Sequence, residues 1–426
     1  MAAESASFRL TRLRVKNFRS IRELDIPLGP LTVLVGPNGS GKSNVLDALR
    51  FMRDCLTRGV DQALLDRGGG KNIAHWSPQG AVAAISLGVT CVTDDGVVMA
   101  YDFTLTAEER VGFRIEQEEV RFQMPGQSEL QVVQTSDEHW MVWNGERRLV
   151  QAPRNRRKGA VNYLIHPDSL MNEALDAFFP GAEEYAAAHF ATYGLGDYLT
   201  GTLFYAPVQG ALRDPQSATN SVPFEEEGRN LGAVLQELLT DPVAAYELRL
   251  LLARLVAGVT NISVEPAGSY LVTYLHYATP GGPMRRADLG QESDGTLRAL
   301  AILAALFQPE GTTEEMPGLG YNPPGLLAFE EPELHIHPGM LAVLAELFVS
   351  ESARKQILLT THSPELLDYL PLESFLIVEK VEGETRIGPL AADQFETARR
   401  ELFTPGELLR SEGLHREEAS ASPAAG

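Results

Sequence analysis

Cysteine and long apolar runs are both scarce in this sequence, and each scarcity excludes a class of protein. Only Cys55 and Cys91 occur among the 426 residues, too few for a disulfide framework or a zinc site. No apolar run approaches the roughly 20 residues that a membrane-spanning helix needs. The first residues, MAAESASFRL, contain no hydrophobic signal region. We therefore expect a cytoplasmic protein with no membrane partner.

Positive charge is also in short supply, because the formal net charge is −21. Two segments are exceptions: residues 9–22 and 147–158 each carry six Lys or Arg residues and no acidic residue. A polyanion would be repelled by most of the surface and attracted at these segments. They are either contacts for DNA or ordinary solvated charges. The residues in question for DNA are Arg12, Arg14, Lys16, Arg154, Arg156, Arg157 and Lys158.

The apolar content of 44% and charged content of 22% are typical of a globular protein. Residues 8–35 read as short strands, and the run LTVLV at 31–35 is typical of a strand buried on both faces. Apolar residues then recur at helical spacing, which predicts a helix from about 42 to 57. Residues 81–150 look mostly antiparallel β, with Asn144-Gly145 as a two-residue hairpin turn.

The second half of the chain alternates between helical and strand patterns. Three apolar runs, LLAF, ILLTT and SFLIV, are separated by two helical patterns, which predicts successive α/β units. Beyond about Thr404 the chain is small and polar, which predicts disorder. The other predicted elements are helices over 161–200, 229–258 with a break at 240–242, and 296–307, and a strand over 262–278.

The segment GPNGSGKS at 36–43 matches G-x-x-x-x-G-K-[ST] and lies between a predicted buried strand and a predicted helix. In such a P-loop the glycines let backbone N–H groups wrap phosphates. Lys42 would reach the β and γ oxygens, and the Ser43 hydroxyl would coordinate Mg²⁺. The segment therefore predicts a site for ATP and Mg²⁺. The nucleotide-binding residues expected here are Gly36, Asn38, Gly39, Ser40, Gly41, Lys42, Ser43 and Asn44.

Two later apolar runs end in residues that complete such a site. The run LLAF is followed by Glu330 and Glu331, which suit metal binding and acceptance of a proton from the attacking water, respectively. The run ILLTT is followed by His362, where a side chain can reach the γ-phosphate and the water. We expect Ser43 and Glu330 to hold the metal, and Glu331 and His362 to act in catalysis.

These motifs, with LRVKNFRSIRELDIPL, NLGAVLQELL and ESDGTLRALAILAAL, occur in an order that resembles the ABC-type ATPase heads of the SMC/RecF class. The resemblance is closest to the stand-alone bacterial AAA-family ATPases similar to RecF and OLD. It implies an α/β P-loop NTPase fold, with an ABC-type head over 1–404 and a disordered tail over 405–426. Within the head it implies a P-loop and antiparallel β subdomain at 1–160, a helical signature lobe at 161–305 and acidic-motif and His-loop units at 306–404.

The resemblance also implies roles for residues that have no evident chemistry of their own. Ser293, Gly295 and Thr296 form the signature turn, which in such heads binds the γ-phosphate of ATP held by the other protomer. Asp294 would repel that phosphate, so we expect it to point away or to pair with an arginine such as Arg298. The remaining implied residues are Arg19 and Ser20 as nucleotide contacts, with Gln79 or His75 as the Q-loop residue.

Taken together, the resemblance implies an ATPase that forms a head-to-tail homodimer around ATP and Mg²⁺. The dimer would act as a switch for a nuclease or another effector supplied in trans, in DNA repair or anti-phage defence. Two alternatives remain: the nucleotide-binding subunit of a membrane transporter, and a module that binds ATP without hydrolysing it.

Overall fold

The computed structural model describes residues 8–75, 84–108, 112–126, 129–135, 139–143, 146–149, 194–218, 223–278, 282–308 and 325–417. The strands are β1 Phe8–Phe18, β2 Ile21–Pro27, β3 Leu31–Val35, β4 Ile85–Thr93, β5 Val98–Glu108, β6 Gly112–Gln123, β7 Leu130–Thr135, β8 His139–Trp143, β9 Glu146–Leu149, β10 Leu203–Tyr205, β11 Gln216–Ser217, β12 Val259–Ala267, β13 Tyr270–Tyr277, β14 Arg285–Asp288, β15 Leu327–Glu330, β16 Ile357–Thr361, β17 Phe375–Val381 and β18 Glu384–Pro389.

The helices are α1 Lys42–Arg58, α2 Val60–Leu65, α3 Gly70–Ile73, α4 Gln209–Arg213, α5 Leu231–Leu238, α6 Pro242–Leu255, α7 Asp294–Phe307, α8 Pro338–Glu351, α9 Pro364–Leu367, α10 Ala392–Arg399 and α11 Pro405–Ser411. Residues 194–200 are also helical. Within these ranges no helix is both long and apolar enough to cross a bilayer.

The expected antiparallel β region forms an eight-stranded sheet in the order β2-β1-β4-β5-β6-β7-β8-β9. From β4 to β9 each strand pairs with the next one along the chain. Strand β1 lies between β2 and β4 and pairs with both. Trp143 of β8 lies opposite Glu146 of β9, so two residues connect them as the hairpin prediction requires. The turn residues Asn144 and Gly145 themselves lie outside the described residues.

A second, six-stranded sheet in the order β10-β15-β16-β3-β17-β18 carries the sequence motifs. In this sheet the strands β10, β15, β16, β3 and β17 are parallel, and β18 is an antiparallel edge strand. All residues of β3 and β16 are buried, as expected of parallel strands covered on both faces. Because the strands are parallel, the ends of β3, β15 and β16 meet at one edge, with Val35 opposite Thr361 and Glu330 opposite Thr360.

The lobe that holds the signature motif contains more strand than the expected helical lobe. The predicted strand over 262–278 is a hairpin of β12 and β13, which with β11 and β14 makes a four-stranded sheet. The expected helix break is present: α5 ends at Leu238, and Asp241 caps α6 by accepting hydrogen bonds from the backbone of Val243 and Ala244. The lobe also contributes a strand to the six-stranded sheet, namely β10.

The signature helix α7 is the most buried helix of this lobe. Ser293 caps its start, and Leu297, Leu300, Leu303 and Leu306 are fully buried. Each buried leucine side chain contributes roughly 2 kcal/mol, and alanine and leucine have high helix propensity. The sequence therefore favours a helix here, and its apolar faces anchor it firmly in the core.

The prediction of a disordered tail from residue 405 is wrong over its first part. Residues 405–411 form α11, whose Thr404 and Glu407 make a reciprocal capping box with Pro405 at the first helical position. Gly406 donates a backbone hydrogen bond to Asp368 Oδ1 at 2.7 Å, and Arg410 pairs with Glu365 at 2.7 Å. These contacts offset the ordering entropy of this short segment. Residues 418–426 lie outside the described part of the chain.

Candidate functional site

The P-loop connects buried β3 to α1, and its tight course requires glycine at two positions. Gly41 has φ 112°, and a Cβ there would lie 2.0 Å from the Thr385 hydroxyl oxygen. A Cβ on Gly36 would lie 2.2 Å from the carbonyl oxygen of Val378. The loop is thus pressed against the two strands that follow β16, and no larger residue fits at either position.

Lys42, the first residue of α1, turns back over this loop. Its Nζ donates hydrogen bonds to the carbonyl oxygens of Gly36 at 2.7 Å and Pro37 at 3.1 Å. Burial lowers the pKa of Lys42, and the nearby carboxylates of Glu331, Glu333 and Glu330 oppose that shift. A charged amine held by neutral carbonyls can exchange them for the oxygens of a phosphate.

The acidic pair and His362 meet the P-loop as the strand order predicted. The Ser43 hydroxyl donates a hydrogen bond to Glu330 Oε1. Glu331 Oε1 lies 3.0 Å from Nδ1 of His362 and 3.9 Å from Nζ of Lys42. The structure therefore brings together all five residues expected to carry the chemistry, in two adjoining groups.

Ser43 and Glu330 are suited to hold Mg²⁺. A hydroxyl and a carboxylate within hydrogen-bonding distance offer the hard oxygen ligands that Mg²⁺ prefers. In the described ranges no cluster of three or more His, Cys, Asp or Glu residues forms a metal site made of protein alone. Such a pair therefore matches an ion that also takes ligands from phosphate and water.

The segment around Arg19 lies against the start of α1, as the nucleotide-contact prediction requires. Asn44 Nδ2 donates a hydrogen bond to Ser20 Oγ at 2.5 Å, and Ser20 Oγ lies 2.6 Å from Thr385 Oγ1. Arg19 has a left-handed backbone with φ 49° and an ion pair with Asp47 at 2.7 Å. The side chains are thus prearranged next to the P-loop helix, and their contact with phosphate stays a prediction.

The signature turn is exposed at Ser293 and packed at Gly295. Ser293 Oγ accepts a hydrogen bond from the Thr296 backbone at 3.2 Å, and a Cβ on Gly295 would lie 2.4 Å from the His335 carbonyl oxygen. Within the described residues, no hydrogen bond or ion pair joins Ser293, Gly295 or Thr296 to the P-loop. The γ-phosphate role of these three residues stays a prediction.

Asp294 pairs with an arginine, as one of the two expected alternatives has it, but the arginine is not the suggested Arg298. Asp294 pairs with Arg213, the last residue of α4. Arg298 instead donates hydrogen bonds to backbone carbonyl oxygens at the acidic motif. Since Asp294 and Arg213 are 81 residues apart, nothing in the local sequence indicated this partner. The ion pair with Arg213 neutralises the Asp294 carboxylate, which would otherwise repel a phosphate at the signature turn.

The structure favours neither candidate for the Q-loop. Gln79 lies outside the described residues. His75 is tied to the end of β1, with its Nδ1 2.7 Å from the carbonyl oxygen of Arg19. Gln209 is a third candidate by its place in the chain, because it follows β10, the strand parallel to the acidic strand β15. Arg298 connects this segment to the acidic motif, since it binds the carbonyl oxygens of both Pro207 and Glu330.

The sequence gives little indication of Gln209, because β10 spans only three residues, too few for a periodicity argument. The available signal was the apolar triplet LFY, followed within four residues by the only amide side chain of that segment. A short apolar run before a polar turn is the same pattern that identified Glu330 and His362.

The first basic segment is largely neutralised. Arg12 pairs with Asp25, Arg14 with Asp102 at 2.9 Å and Lys16 with Glu23 at 2.8 Å. Each of these three cations thus has a carboxylate partner within the same sheet, which weakens the attraction for a polyanion. Arg154, Arg156, Arg157 and Lys158, of the second segment, lie outside the described residues.

Comparisons with known proteins give a family match over most of the chain. The family model described as "AAA domain, putative AbiEii toxin, Type IV TA system" matches residues 31–368. An OLD nuclease of Thermus scotoductus is 60% identical over 40 residues, 9% of this chain and 8% of the relative. The DNA replication and repair protein RecF of Corynebacterium jeikeium is 42% identical over 62 residues, 14% of this chain and 15% of the relative.

These segments cover less than a sixth of each curated relative. Among solved structures, an Smc head bound to the C-terminal winged-helix domain of ScpA aligns with a TM-score of 0.42 at 14% identity, over 91% of this chain and 99% of that chain. The family match spans most of the described core, from β3 to the residue after α9. The chain therefore belongs to this AAA-domain family, as a P-loop ATPase of the ABC type found in SMC, RecF and OLD proteins.

Proposed function

We propose that this protein binds and hydrolyses ATP with Mg²⁺ in a head-to-tail homodimer, and that the cycle of closing and opening switches a partner that acts on nucleic acid. The observation that carries the proposal is the division of the site. One copy assembles Lys42, Ser43, Glu330, Glu331 and His362 around the P-loop. Its capped helix start at Ser293 is exposed, and among the described residues no hydrogen bond or ion pair joins it to that P-loop.

The chemistry follows from the two groups of side chains. Water attacks the γ-phosphorus, the bond to the ADP oxygen breaks, and Glu331 accepts the proton of the water. His362, 3.0 Å from Glu331, orients that carboxylate, and Lys42 neutralises charge on the phosphates. Ser43 and Glu330 would hold Mg²⁺, which would supply further neutralisation of the phosphate charge.

Dimerisation follows from the phosphate contacts. A helix start presents unpaired backbone N–H groups and a positive dipole end, which favour an anion. Ser293 and the backbone N–H of Gly295 would offer these groups to ATP on a second copy. The Thr296 N–H, which donates to the Ser293 hydroxyl, would have to exchange that bond for one to the phosphate. Because only the closed dimer completes the γ-phosphate contacts, ATP shifts the population toward it and hydrolysis reverses the shift.

The nucleic-acid part of the proposal is supported by the relatives, which include proteins named for DNA replication and repair and for chromosome partition. The partner itself would be a nuclease or another effector supplied in trans. Phosphate release measured with and without DNA or RNA tests this part. Rates unaffected by either polymer would count against a nucleic-acid role while leaving the ATPase intact.

The test of the dimer uses Glu331→Gln, which removes the proton acceptor and keeps the shape of the side chain. With saturating ATP and Mg²⁺ this variant should elute as a dimer in size-exclusion chromatography with light scattering, and as a monomer without ATP. Adding Ser293→Arg should abolish the dimer, whereas Ser269→Arg, in the exposed β12–β13 turn, should not. A Glu331→Gln protein that stays monomeric at saturating ATP overturns the proposal.

A further inference from the structure

Arg298 forms a junction between the signature helix and the acidic motif of the same chain. It lies on α7, five residues after Ser293. Its NH2 group donates to the carbonyl oxygens of Glu330 at 2.7 Å and Glu331 at 2.8 Å, and its NH1 group donates to that of Pro207 at 3.1 Å. One guanidinium therefore connects three elements: the signature helix, the turn that carries both carboxylates, and the segment after β10.

The partners of this guanidinium are unusual for a partly buried charge. Its hydrogen-bond acceptors are backbone carbonyls, and within the described residues it forms no ion pair. Its Nε is buried with no hydrogen-bond partner there, and burial lowers the pKa of Arg298. The guanidinium is half-buried, and the carboxylates of Glu333, Glu331 and Glu330 oppose the lowering of its pKa. Its three hydrogen bonds to carbonyl oxygens therefore fix the position of a charge that pairs directly with none of these carboxylates.

The turn that Arg298 grips is strained. Glu331 has φ 45°, a left-handed backbone that non-glycine residues rarely adopt. On one side the turn is held by β16, since the Glu331 amide donates to the Thr360 carbonyl oxygen at 3.1 Å. On the other side it is held by Arg298 through the carbonyl oxygens of Glu330 and Glu331. The orientation of the Glu331 side chain therefore depends on the position of Arg298.

The position of Arg298 in turn depends on the start of α7. Five residues of helix place it only about 7.5 Å along the axis from Ser293. The helix is packed on nearly all sides, so it moves as a rigid body or not at all. Gly295 also touches the carbonyl of His335, in the loop that follows the acidic pair. A displacement at Ser293 therefore reaches the acidic turn within one chain.

We propose that Arg298 is a positioning residue that sets the geometry of Glu331 in its own chain according to whether the signature turn of that chain has engaged a partner's ATP. The inference rests on the proposed head-to-tail dimer. ATP in one copy, held by Ser293 of the other, would then align Glu331 of that other copy. Each bound ATP activates hydrolysis in the opposite site, so the two sites hydrolyse ATP together.

Single substitutions give the first test. Arg298→Gln should lower kcat for ATP by about 10- to 100-fold, the loss expected from a catalytic group misplaced by about 1 Å. KM for ATP and the ATP-dependent dimer of the Glu331→Gln background should stay within about twofold, because the P-loop is untouched. Arg298→Lys, which keeps the charge but has one donor nitrogen, should recover part of kcat. Arg254→Gln, which breaks an exposed ion pair with Glu346 on α8, is the matched control.

Mixed dimers, made from two differently tagged chains, decide the direction of the coupling. The reference pairs a wild-type chain with a Glu331→Gln chain. If Arg298 acts on its own Glu331, placing Arg298→Gln on the Glu331→Gln chain leaves the reference rate unchanged. Placing Arg298→Gln on the other chain lowers that rate by about 10- to 100-fold.

The opposite pattern, or equal rates in both arrangements, overturns the assignment of Arg298. A wild-type kcat for Arg298→Gln overturns it as well. If no mixed dimer forms with ATP at all, the proposed dimer has failed instead, so the two failures are distinguishable. Should Arg298→Gln not fold, Arg298→Lys takes its place in the same two arrangements.

Discussion

Glu331 Oε1 lies 3.0 Å from Nδ1 of His362, and the two residues come from the ends of neighbouring parallel strands, 31 positions apart. The contact joins the proposed proton acceptor to a side chain that can fix its orientation. It also separates the roles of the two carboxylates, since Glu330 accepts its hydrogen bond from Ser43. One strand end thereby carries both the proposed metal ligand and the proposed proton acceptor.

Loss of this contact should affect turnover and spare binding. His362→Ala removes the hydrogen bond to Glu331 and should lower kcat by about 100-fold, within the range typical of general acid–base groups. The affinity for ATP should change little, because Lys42 keeps its contacts with the P-loop carbonyls. Phosphate release and equilibrium binding of a fluorescent ATP analogue measure the two effects. His276→Ala, on β13, is the control, and equal losses in both variants would contradict the assigned role.

Gly41→Ala should destabilise the fold as well as abolish nucleotide binding. The added Cβ would lie 2.0 Å from the Thr385 hydroxyl at a φ of 112°, so overpacking and backbone strain together cost about 3 kcal/mol. Gly39→Ala is the matched control, because Gly39 also has a positive φ but no atom within 4 Å of the added Cβ. It should cost about 1 kcal/mol. Urea unfolding of both proteins without nucleotide measures the difference.

If the clash rather than the φ dominates, Thr385→Ala in the Gly41→Ala background should recover part of the lost stability. Thr385 also donates to the Ser40 carbonyl oxygen at 2.9 Å, so the rescue is measured against Thr385→Ala alone. A Gly41→Ala protein as stable as Gly39→Ala would refute the steric argument.

The meeting of Lys42, Glu331 and His362 could be predicted because it depends on a simple rule. Each residue follows a buried apolar run, and parallel strands bring their carboxyl ends to one edge. The helix at 405–411 was also predictable, since Thr404 and Glu407 have the spacing of a capping box. This local signal outweighs the polar composition of the residues that follow it.

The contacts of Arg298 and Asp294 could not be predicted in the same way. Arg298 bonds to carbonyls 32 and 33 residues away, and backbone carbonyls leave no trace in side-chain chemistry. Asp294 finds Arg213 only because α4 packs on the start of α7. Both contacts depend on how the signature lobe is placed against the central sheet, which neither periodicity nor motif order specifies.

Glu333 should make stability depend on pH. Burial raises the pKa of its carboxyl group above the ordinary value. One oxygen accepts hydrogen bonds from the Thr361 hydroxyl at 2.5 Å and the His362 backbone at 3.3 Å. The other is buried with no hydrogen-bond partner among the described residues. Because the folded state holds the proton more tightly than the unfolded chain does, ionisation opposes folding.

The sign of the effect follows directly. The contribution of Glu333 is most favourable below the ordinary carboxyl pKa of about 4.3 and is lost as the pH rises through the raised folded pKa. Glu333→Gln cannot ionise and keeps an oxygen for Thr361. The free energy of unfolding of Glu333→Gln, relative to the native protein, should therefore increase from about pH 4 to about pH 8. Urea unfolding at both pH values measures this difference, with the exposed Glu346→Gln as control. A relative stability that stays constant or falls with pH would show that the carboxyl group of Glu333 is ionised in the folded protein throughout.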